Sequence, residues 1–243
     1  EVARLPHATV DGNRVTIENV RNFEYRTEND FTPRYETRTY DLRNLRAVDL
    51  FVNFWGISFM AHPILSFDFG PGGHVCFSIE TRYKKGQGFS ALGGLYRQFE
   101  IIYIVADEHD IIRVRTNYRK GEDAYLYRLK SSPEQARTSF LEYIHTLNSL
   151  TERPRWYNAI TDNCTTAIRQ QRTASERSKW DWRMLANGYG DKLLYERGVI
   201  DTSMPFEELK RISLIDEKAK AANDSPDFSA LIRKGLPGFP DGW

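Results

Sequence analysis

Short runs of alternating apolar and polar residues dominate the first two-thirds of the chain. Val15, Ile17 and Val20 are interleaved with polar residues, and residues 50–52 lie in another extended apolar stretch. Comparable runs occupy 61–69, 74–82, 99–105, 111–115 and 124–129. Together with a charged turn predicted at 107–110, this pattern is typical of a meander of short antiparallel strands.

The periodicity changes to that of a helix after residue 131. Ser132 is a good N-cap residue, Pro133 suits the first helical turn, and Gln135 completes a capping box. The apolar residues that follow at helical spacing are Ala136, Phe140, Tyr143, Leu147 and Leu150. We expect this helix to end before Pro154, because proline cannot continue it.

A second helix is predicted to begin near Asn163 or Cys164 and to run toward Thr173. The remaining residues are polar and helical in fragments, and the glycines and prolines of 235–240 indicate a loop or tail. The sequence therefore predicts one α+β domain over residues 1–243. Its expected parts are an antiparallel sheet, packed helices and a loop-rich C-terminal tail.

A glycine-rich turn at 70–73 joins two of the predicted strands into a hairpin. One face of this hairpin carries Ala61, Leu65, Phe67, Phe69, Val75, Phe77 and Ile79. The opposite face carries His62, Ser66, Asp68, Cys76, Ser78, Glu80 and Arg82. If burial aligns the apolar faces, His62, Glu80 and Arg82 lie together. With a three- or five-residue loop, we expect Arg82 across from His62 and Glu80 one diagonal step away.

The residues around Cys164 are typical of a reactive cysteine in the first turn of a helix. Asp162 and Asn163 are good N-cap residues, which places Cys164 in the first turn of the predicted helix. There, the helix dipole and the free backbone N–H groups favour a thiolate and could hold an oxyanion. With His62 as the base and Glu80 to orient it, this set meets the needs of covalent acyl chemistry. Asp68 and Ser78 remain alternatives for the orienting residue.

The composition of the chain reduces the number of functions and covalent or metal sites that need to be considered. The formal net charge is only +1, so no whole-molecule field favours nucleic acid. Cys76 and Cys164 are the two cysteines, which excludes a disulfide framework but leaves one bridge between them possible. Metal-binding and nucleotide-binding motifs are missing from the sequence, and we expect neither a metal nor another cofactor. For Cys76 itself, a structural role is the simpler expectation.

Five motifs occur in order along the chain: Phe23-Glu24-Tyr25-Arg26, His62 with Leu65-Ser66-Phe67, Ser78-Ile79-Glu80-Thr81-Arg82, Tyr96-Arg97-Gln98-Phe99-Glu100 and Asp162-Asn163-Cys164-Thr165-Thr166. Together they resemble the Lnb N-terminal periplasmic domain family. The resemblance runs from about Val10 to Leu236, and His109 departs from the arginine expected there. It implies a circularly permuted papain-like, NlpC-type architecture, in which the histidine strand precedes the cysteine helix.

The resemblance also implies a function, the transfer of a fatty acyl chain from a phospholipid to the N-terminal amine of a lipoprotein. Cys164 would carry the acyl group and His62 would move the proton, with Glu80 orienting His62. Arg82 would bind phosphate or pair with Glu80, and Asn163 and Ser78 complete the expected substrate-binding residues. The expected location is the periplasm, associated with the inner membrane through segments outside this chain.

Two other functions are compatible with the sequence, one that also depends on Cys164 and His62 and one that does not. A hydrolase, either a cell-wall amidopeptidase or a lipase, would have the same Cys164 and His62 but would release the acyl group to water. A non-catalytic binding module would instead bury Cys164 as an unreactive thiol. A bridge between Cys76 and Cys164 would disable both enzyme hypotheses.

Overall fold

A large and mostly antiparallel sheet lies at the centre of the structure, a computed structural model that describes residues 4–55, 61–82, 100–156 and 187–239. The strands are β1 (His7–Asp11), β2 (Arg14–Arg21), β3 (Glu24–Tyr25), β4 (Phe31–Thr32), β5 (Tyr35–Asp41), β6 (Ala47–Trp55), β7 (Ala61–Asp68), β8 (His74–Arg82), β9 (Glu100–Ala106) and β10 (Glu122–Arg128). The helix predicted to begin at Asn163 or Cys164 lies outside the described residues.

The sheet order places β7, the strand that carries His62, near the middle of the sheet. In the described part of the chain, eight strands join in the order β1-β2-β9-β8-β7-β6-β10, with β5 also paired to β2. All these pairs are antiparallel except β2 with β9, which meet at Arg21 and Ala106. Strands β3 and β4 form a separate small hairpin. The mixed class and the antiparallel sheet predicted from the sequence are confirmed.

Six helices accompany the described strands. They are α1 (Glu108–Ile111), α2 (Pro133–Glu152), α3 (Gly190–Glu196), α4 (Phe206–Ser213), α5 (Asp216–Ala222) and α6 (Phe228–Arg233). A π-helical turn at Val114–Tyr118 and 3-10 turns at Leu42–Asn44, Gly70–Gly72 and Asn187–Tyr189 complete the described helical structure. Helices α3 to α6 lie in the segment predicted to be polar and helical in fragments, before the loop predicted at 235–240.

Helix α2 covers one face of the sheet in the way its sequence predicts. It begins at the predicted capping box and ends at Glu152, two residues before Pro154. The whole predicted apolar stripe is buried, together with Ile144. The ring of Phe140 packs edge-on against Phe67 and Phe77, with centroid distances of 5.1 Å and 5.8 Å. The expected apolar face of the hairpin is therefore the face under α2.

The capping box of α2 provides a test of local stability. The Ser132 hydroxyl accepts from the Gln135 backbone N–H, and the Gln135 side chain accepts from the Ser132 backbone N–H. We expect Ser132→Ala to lower the free energy of unfolding by about 1 kcal/mol in urea unfolding. Ser131→Ala is the matched control, since the Ser131 hydroxyl has no hydrogen-bond partner among the described residues. Equal losses in both variants would contradict a capping role.

The C-terminal helices cover the opposite face of the sheet. Apolar residues from this segment, including Ile215, Ala219, Phe228 and Ile232, pack with residues of the sheet such as Phe51. Leu236 and Phe239, which follow α6, are buried in the same cluster. Cys76 lies in this cluster as a free, fully buried cysteine, so its expected structural role is confirmed. Burial raises the pKa of its thiol well above the usual value, which keeps the group unreactive.

The strand predicted at 111–115 is wrong, because this segment is helical. Asp107 caps α1 by accepting from the His109 backbone N–H, and the chain continues into the π-helical turn. A run of buried apolar residues such as Ile111, Ile112 and Val114 fits a buried helix as well as a strand, so periodicity alone did not distinguish them.

The charged turn predicted at 107–110 is also wrong, because Glu108 and Asp110 are fully buried. Asp110 pairs with Arg21 and accepts from the Phe23 backbone N–H. Glu108 pairs with Arg233 of α6, and the Arg233 Nη1 to Glu108 Oε2 distance is 2.8 Å. Buried carboxylates require such partners, so long-range arginines determine the conformation of this segment.

Candidate active site

The hairpin of β7 and β8 brings His62 and Glu80 together. The loop between these strands has five residues, Phe69 to Gly73, and Gly70 and Gly73 adopt positive φ angles of 58° and 81°. Asp68 consequently pairs with His74, and Ile64 pairs with Ser78. Continued along both strands, this register places Glu80 opposite His62. The prediction that Arg82 lies across from His62 is therefore wrong. On the other side of β8, Arg82 pairs with Glu100 of β9.

His62, Ser78 and Glu80 form a compact hydrogen-bonded group. The His62 Nε2 atom lies 2.7 Å from the Ser78 hydroxyl and 3.2 Å from Glu80 Oε1. The Ser78 hydroxyl donates to Glu80 Oε1 at 2.7 Å. Since that hydroxyl has a single proton, Nε2 must carry the proton that it shares with Ser78. In the neutral imidazole, Nδ1 is then the nitrogen with the basic lone pair.

Glu80 is held in its ionised form. Burial alone would raise the pKa of its carboxyl, but His62, Arg115 and Ser78 outweigh burial and lower the pKa well below its usual value. Arg115 donates from Nη2 to Glu80 Oε1 at 3.3 Å and from Nη1 to Glu122 Oε2 at 3.3 Å. A carboxylate beside the imidazole fixes the tautomer of His62 and stabilises its protonated form.

Strand β6 supports His62 from its other side. Asn53 pairs with His62 across the two strands and donates from its amide to the His62 carbonyl oxygen at 3.1 Å. The Trp55 ring lies on the same face, with its centroid 6.3 Å from that of His62. His62 itself is only 8% exposed. These contacts hold the backbone and the ring of the histidine in one position.

Sequence reasoning missed Arg115, Glu122 and Asn53 as neighbours of this site. The sequence predicts a strand at Arg115, whereas this segment is helical. No neighbouring residue in the sequence therefore indicated a contact between Arg115 and Glu80. Asn53 carried a weak signal, a single amide within the apolar run of β6. A buried amide in a strand requires hydrogen-bond partners, and this one finds its partner on the histidine strand.

A comparison with protein families identifies the kind of domain. The model of the Lnb N-terminal periplasmic domain matches residues 31–188, which is more than half of the chain and includes His62, Ser78, Glu80 and Cys164. The chain belongs to this family. The resemblance found in the motifs is thereby confirmed, and the Lnb N-terminal domain family is a family of periplasmic domains. Comparisons with curated proteins and with solved structures gave no match.

The other residues expected in the Lnb-type site occupy different positions. Arg82 lies 3.9 Å from Glu100, and Arg115 takes the place beside Glu80 that was one expectation for Arg82. Asp68, an alternative orienting residue, contacts Arg128 at 3.3 Å instead of His62. Ser78 bridges His62 and Glu80. Asn163 and Cys164 lie outside the described residues of this Lnb N-terminal domain.

No grouping of three or more His, Cys, Asp or Glu side chains suitable for a metal ion occurs in the described ranges. Of the helices in those ranges, none combines the length and apolar character that crossing a membrane requires. The arrangement that the Lnb N-terminal domain does contain is an imidazole whose Nε2 atom contacts both a hydroxyl and an ionised carboxylate. Such a group can accept a proton from a nucleophile and return it to a leaving group.

Proposed function

We propose that the protein is a thiol acyltransferase that moves a fatty acyl chain from a phospholipid to the N-terminal amine of a lipoprotein. The observation that carries this proposal is the buried His62–Ser78–Glu80 group, in which an ionised carboxylate orients an imidazole. Cys164, at the start of a predicted helix, is the proposed nucleophile. Membership in a periplasmic family associated with lipoprotein processing supports the substrate class.

In the first half-reaction, His62 accepts the proton of the Cys164 thiol, and the thiolate attacks the ester carbonyl carbon of the phospholipid. The ester C–O bond breaks, and the departing lysophospholipid oxygen takes the proton from the His62 imidazolium. An acyl-cysteine thioester remains. The Glu80 carboxylate stabilises the imidazolium while it exists, which lowers the barrier to both proton transfers.

In the second half-reaction, the amine of the lipoprotein attacks the thioester carbonyl carbon, and the C–S bond breaks. His62 accepts a proton from the attacking amine and delivers it to the departing sulfur. The products are an amide and the regenerated thiol, so the enzyme needs no cofactor. Backbone N–H groups at the start of the Cys164 helix are proposed to hold the oxyanion in both steps.

The proposed architecture is a permuted papain-like, NlpC-type fold. In support, His62 lies on a central strand that precedes the proposed cysteine helix in the chain. Arg82 and Asn163 are proposed to contact the substrate. The Arg82 guanidinium is partly exposed, and its contact with Glu100 is long at 3.9 Å, which leaves it able to approach a phosphate. Attachment to the inner membrane is proposed to depend on segments beyond this chain.

Intact mass after incubation with a short-chain phospholipid tests this proposal. We expect a mass increase of one acyl chain in the wild type, no increase in Cys164→Ala, and a retained increase in the matched control Cys76→Ala. Adding a peptide with an N-terminal S-modified cysteine should then remove the acyl group and produce an acyl-peptide.

Two other outcomes would overturn the proposal in different ways. Loss of the acyl group to water with no acyl-peptide would indicate a hydrolase with the same nucleophile. No adduct, together with a Cys164 thiol that reacts with iodoacetamide only after unfolding, would indicate a non-catalytic binding module.

A further inference from the structure

The guanidinium of Arg115 occupies a position that no sequence motif indicated. Arg115 is 7% exposed and lies in the π-helical turn at Val114–Tyr118, and its guanidinium reaches Glu80 on the sheet face that carries His62. Its two terminal nitrogens contact Glu80 of β8 and Glu122 of β10. The arginine thus joins the carboxylate beside His62 to a carboxylate on the edge strand of the sheet.

Among the residues that the structure describes, the charged side chains around His62 sum to zero when its imidazole is neutral. Glu80 and Glu122 each carry a negative charge, and Arg115 and Arg119 each carry a positive charge, with Arg119 Nη1 3.3 Å from Glu122 Oε1. The side chain of Glu28, which approaches Arg119 at 3.7 Å, is half exposed and therefore screened. Asn53 and Trp55 on β6 and Ser78 on β8 are uncharged, and Arg82 and Glu100 face one another further along.

We propose that Arg115 is a positioning residue that holds Glu80 against His62 and neutralises its charge, so that His62 keeps a neutral imidazole able to accept a proton. This inference rests on the proposed function of His62 as the base. An uncompensated buried carboxylate beside a histidine favours the imidazolium, which cannot accept a proton. Arg115 therefore lets Glu80 orient the imidazole while preventing its negative charge from holding a proton on His62.

The lowered pKa of Glu80 is consistent with this arrangement. Burial opposes the ionised carboxyl, and His62 and Arg115 both favour it. Because His62 and Ser78 also lower the pKa of Glu80, we expect its carboxylate to stay ionised at neutral pH when Arg115 is replaced, so that removal of the arginine changes the charge that His62 experiences. A merely structural role of Arg115 would alter the stability of the fold and leave the pKa of a correctly folded His62 unchanged.

The test is an NMR titration of the His62 imidazole in the full chain without substrate, with the resonance assigned from its loss in His62→Gln. We expect Arg115→Gln to raise the pKa of His62 by about 1 pH unit or more. Arg115→Lys, which retains the charge, should change it much less. Glu122→Gln should lower the pKa of His62, because it leaves the charge of Arg115 less neutralised.

Arg43→Gln is the matched control, since the Arg43 side chain is 71% exposed and pairs with Asp41 away from the site. If Arg115→Gln does not fold, the direction of the shift in Glu122→Gln decides. An unchanged pKa of His62 in folded Arg115→Gln, or an upward shift in Glu122→Gln, would overturn the inference. Because no substrate is present, the titration is independent of the acylation test, and the two proposals can fail separately.

Discussion

Replacing Arg233 with methionine is expected to lower the free energy of unfolding by about 3 to 5 kcal/mol, because it leaves the buried Glu108 carboxylate without its cation and the buried Asp49 carboxylate with Arg128 alone. The Arg233 Nε atom donates to Asp49 Oδ2 at 2.9 Å, and Nη1 donates to Glu108 Oε2 at 2.8 Å. All three side chains are almost completely buried. Urea unfolding of the two proteins, followed by circular dichroism, measures the difference.

The ion pair between Glu108 and Arg233 should also determine part of the pH dependence of the free energy of unfolding. Burial alone would raise the pKa of Glu108, but pairing with Arg233 prevails and lowers it from 4.5 to about 2. Since the folded-state pKa lies below the unfolded one, the carboxylate stabilises the fold above pH 4.5 and loses this contribution as the pH falls toward 2. Unfolding free energies measured between these limits should fall less steeply for Arg233→Met than for the wild type.

Arg43→Met is the matched control for this prediction. Arg43 forms an ion pair with Asp41 on the surface, where solvent screens the attraction and the pair contributes little to stability. A similar urea midpoint for Arg233→Met and the wild type would contradict a stabilising role of the buried network. A loss equal to that of Arg43→Met would contradict it as well.

Replacing His62 with glutamine is expected to slow acylation of Cys164 by about 10²- to 10⁴-fold, the usual contribution of a positioned acid–base group. Glutamine retains hydrogen bonding toward Ser78 and Glu80 but cannot accept a proton at neutral pH. The rate of appearance of the acyl adduct by mass spectrometry measures the effect. In the wild type, the rate should fall as the pH drops below the pKa of His62, and this dependence should disappear in the variant.

His145→Gln is the matched control, because His145 is exposed on α2 away from the site. Its acylation rate should equal that of the wild type. An unchanged rate in a folded His62→Gln would remove His62 from the mechanism while leaving Cys164 as a possible nucleophile. The Cys164→Ala measurement and this one therefore test the two members of the proposed pair separately.

Local sequence determined the elements whose contacts are local. The capping box of Ser132 and Gln135 defines the start of α2, and the helical spacing of Phe140 and its neighbours defines the buried stripe. Alternation within β7 and β8 correctly assigned His62 and Glu80 to one face of the sheet. These predictions succeeded because capping and side-chain periodicity depend on residues only a few positions apart.

The tertiary structure alone decided the exact register of the hairpin and the buried charge pairs. Five loop residues place Glu80, and not Arg82, opposite His62, while Arg115 arrives from a turn that resembles a strand in sequence. Arg233 meets Asp49 across a separation of 184 residues. A charged side chain in the sequence does not reveal which distant partner will be buried beside it, because that choice follows from how the sheet and helices pack.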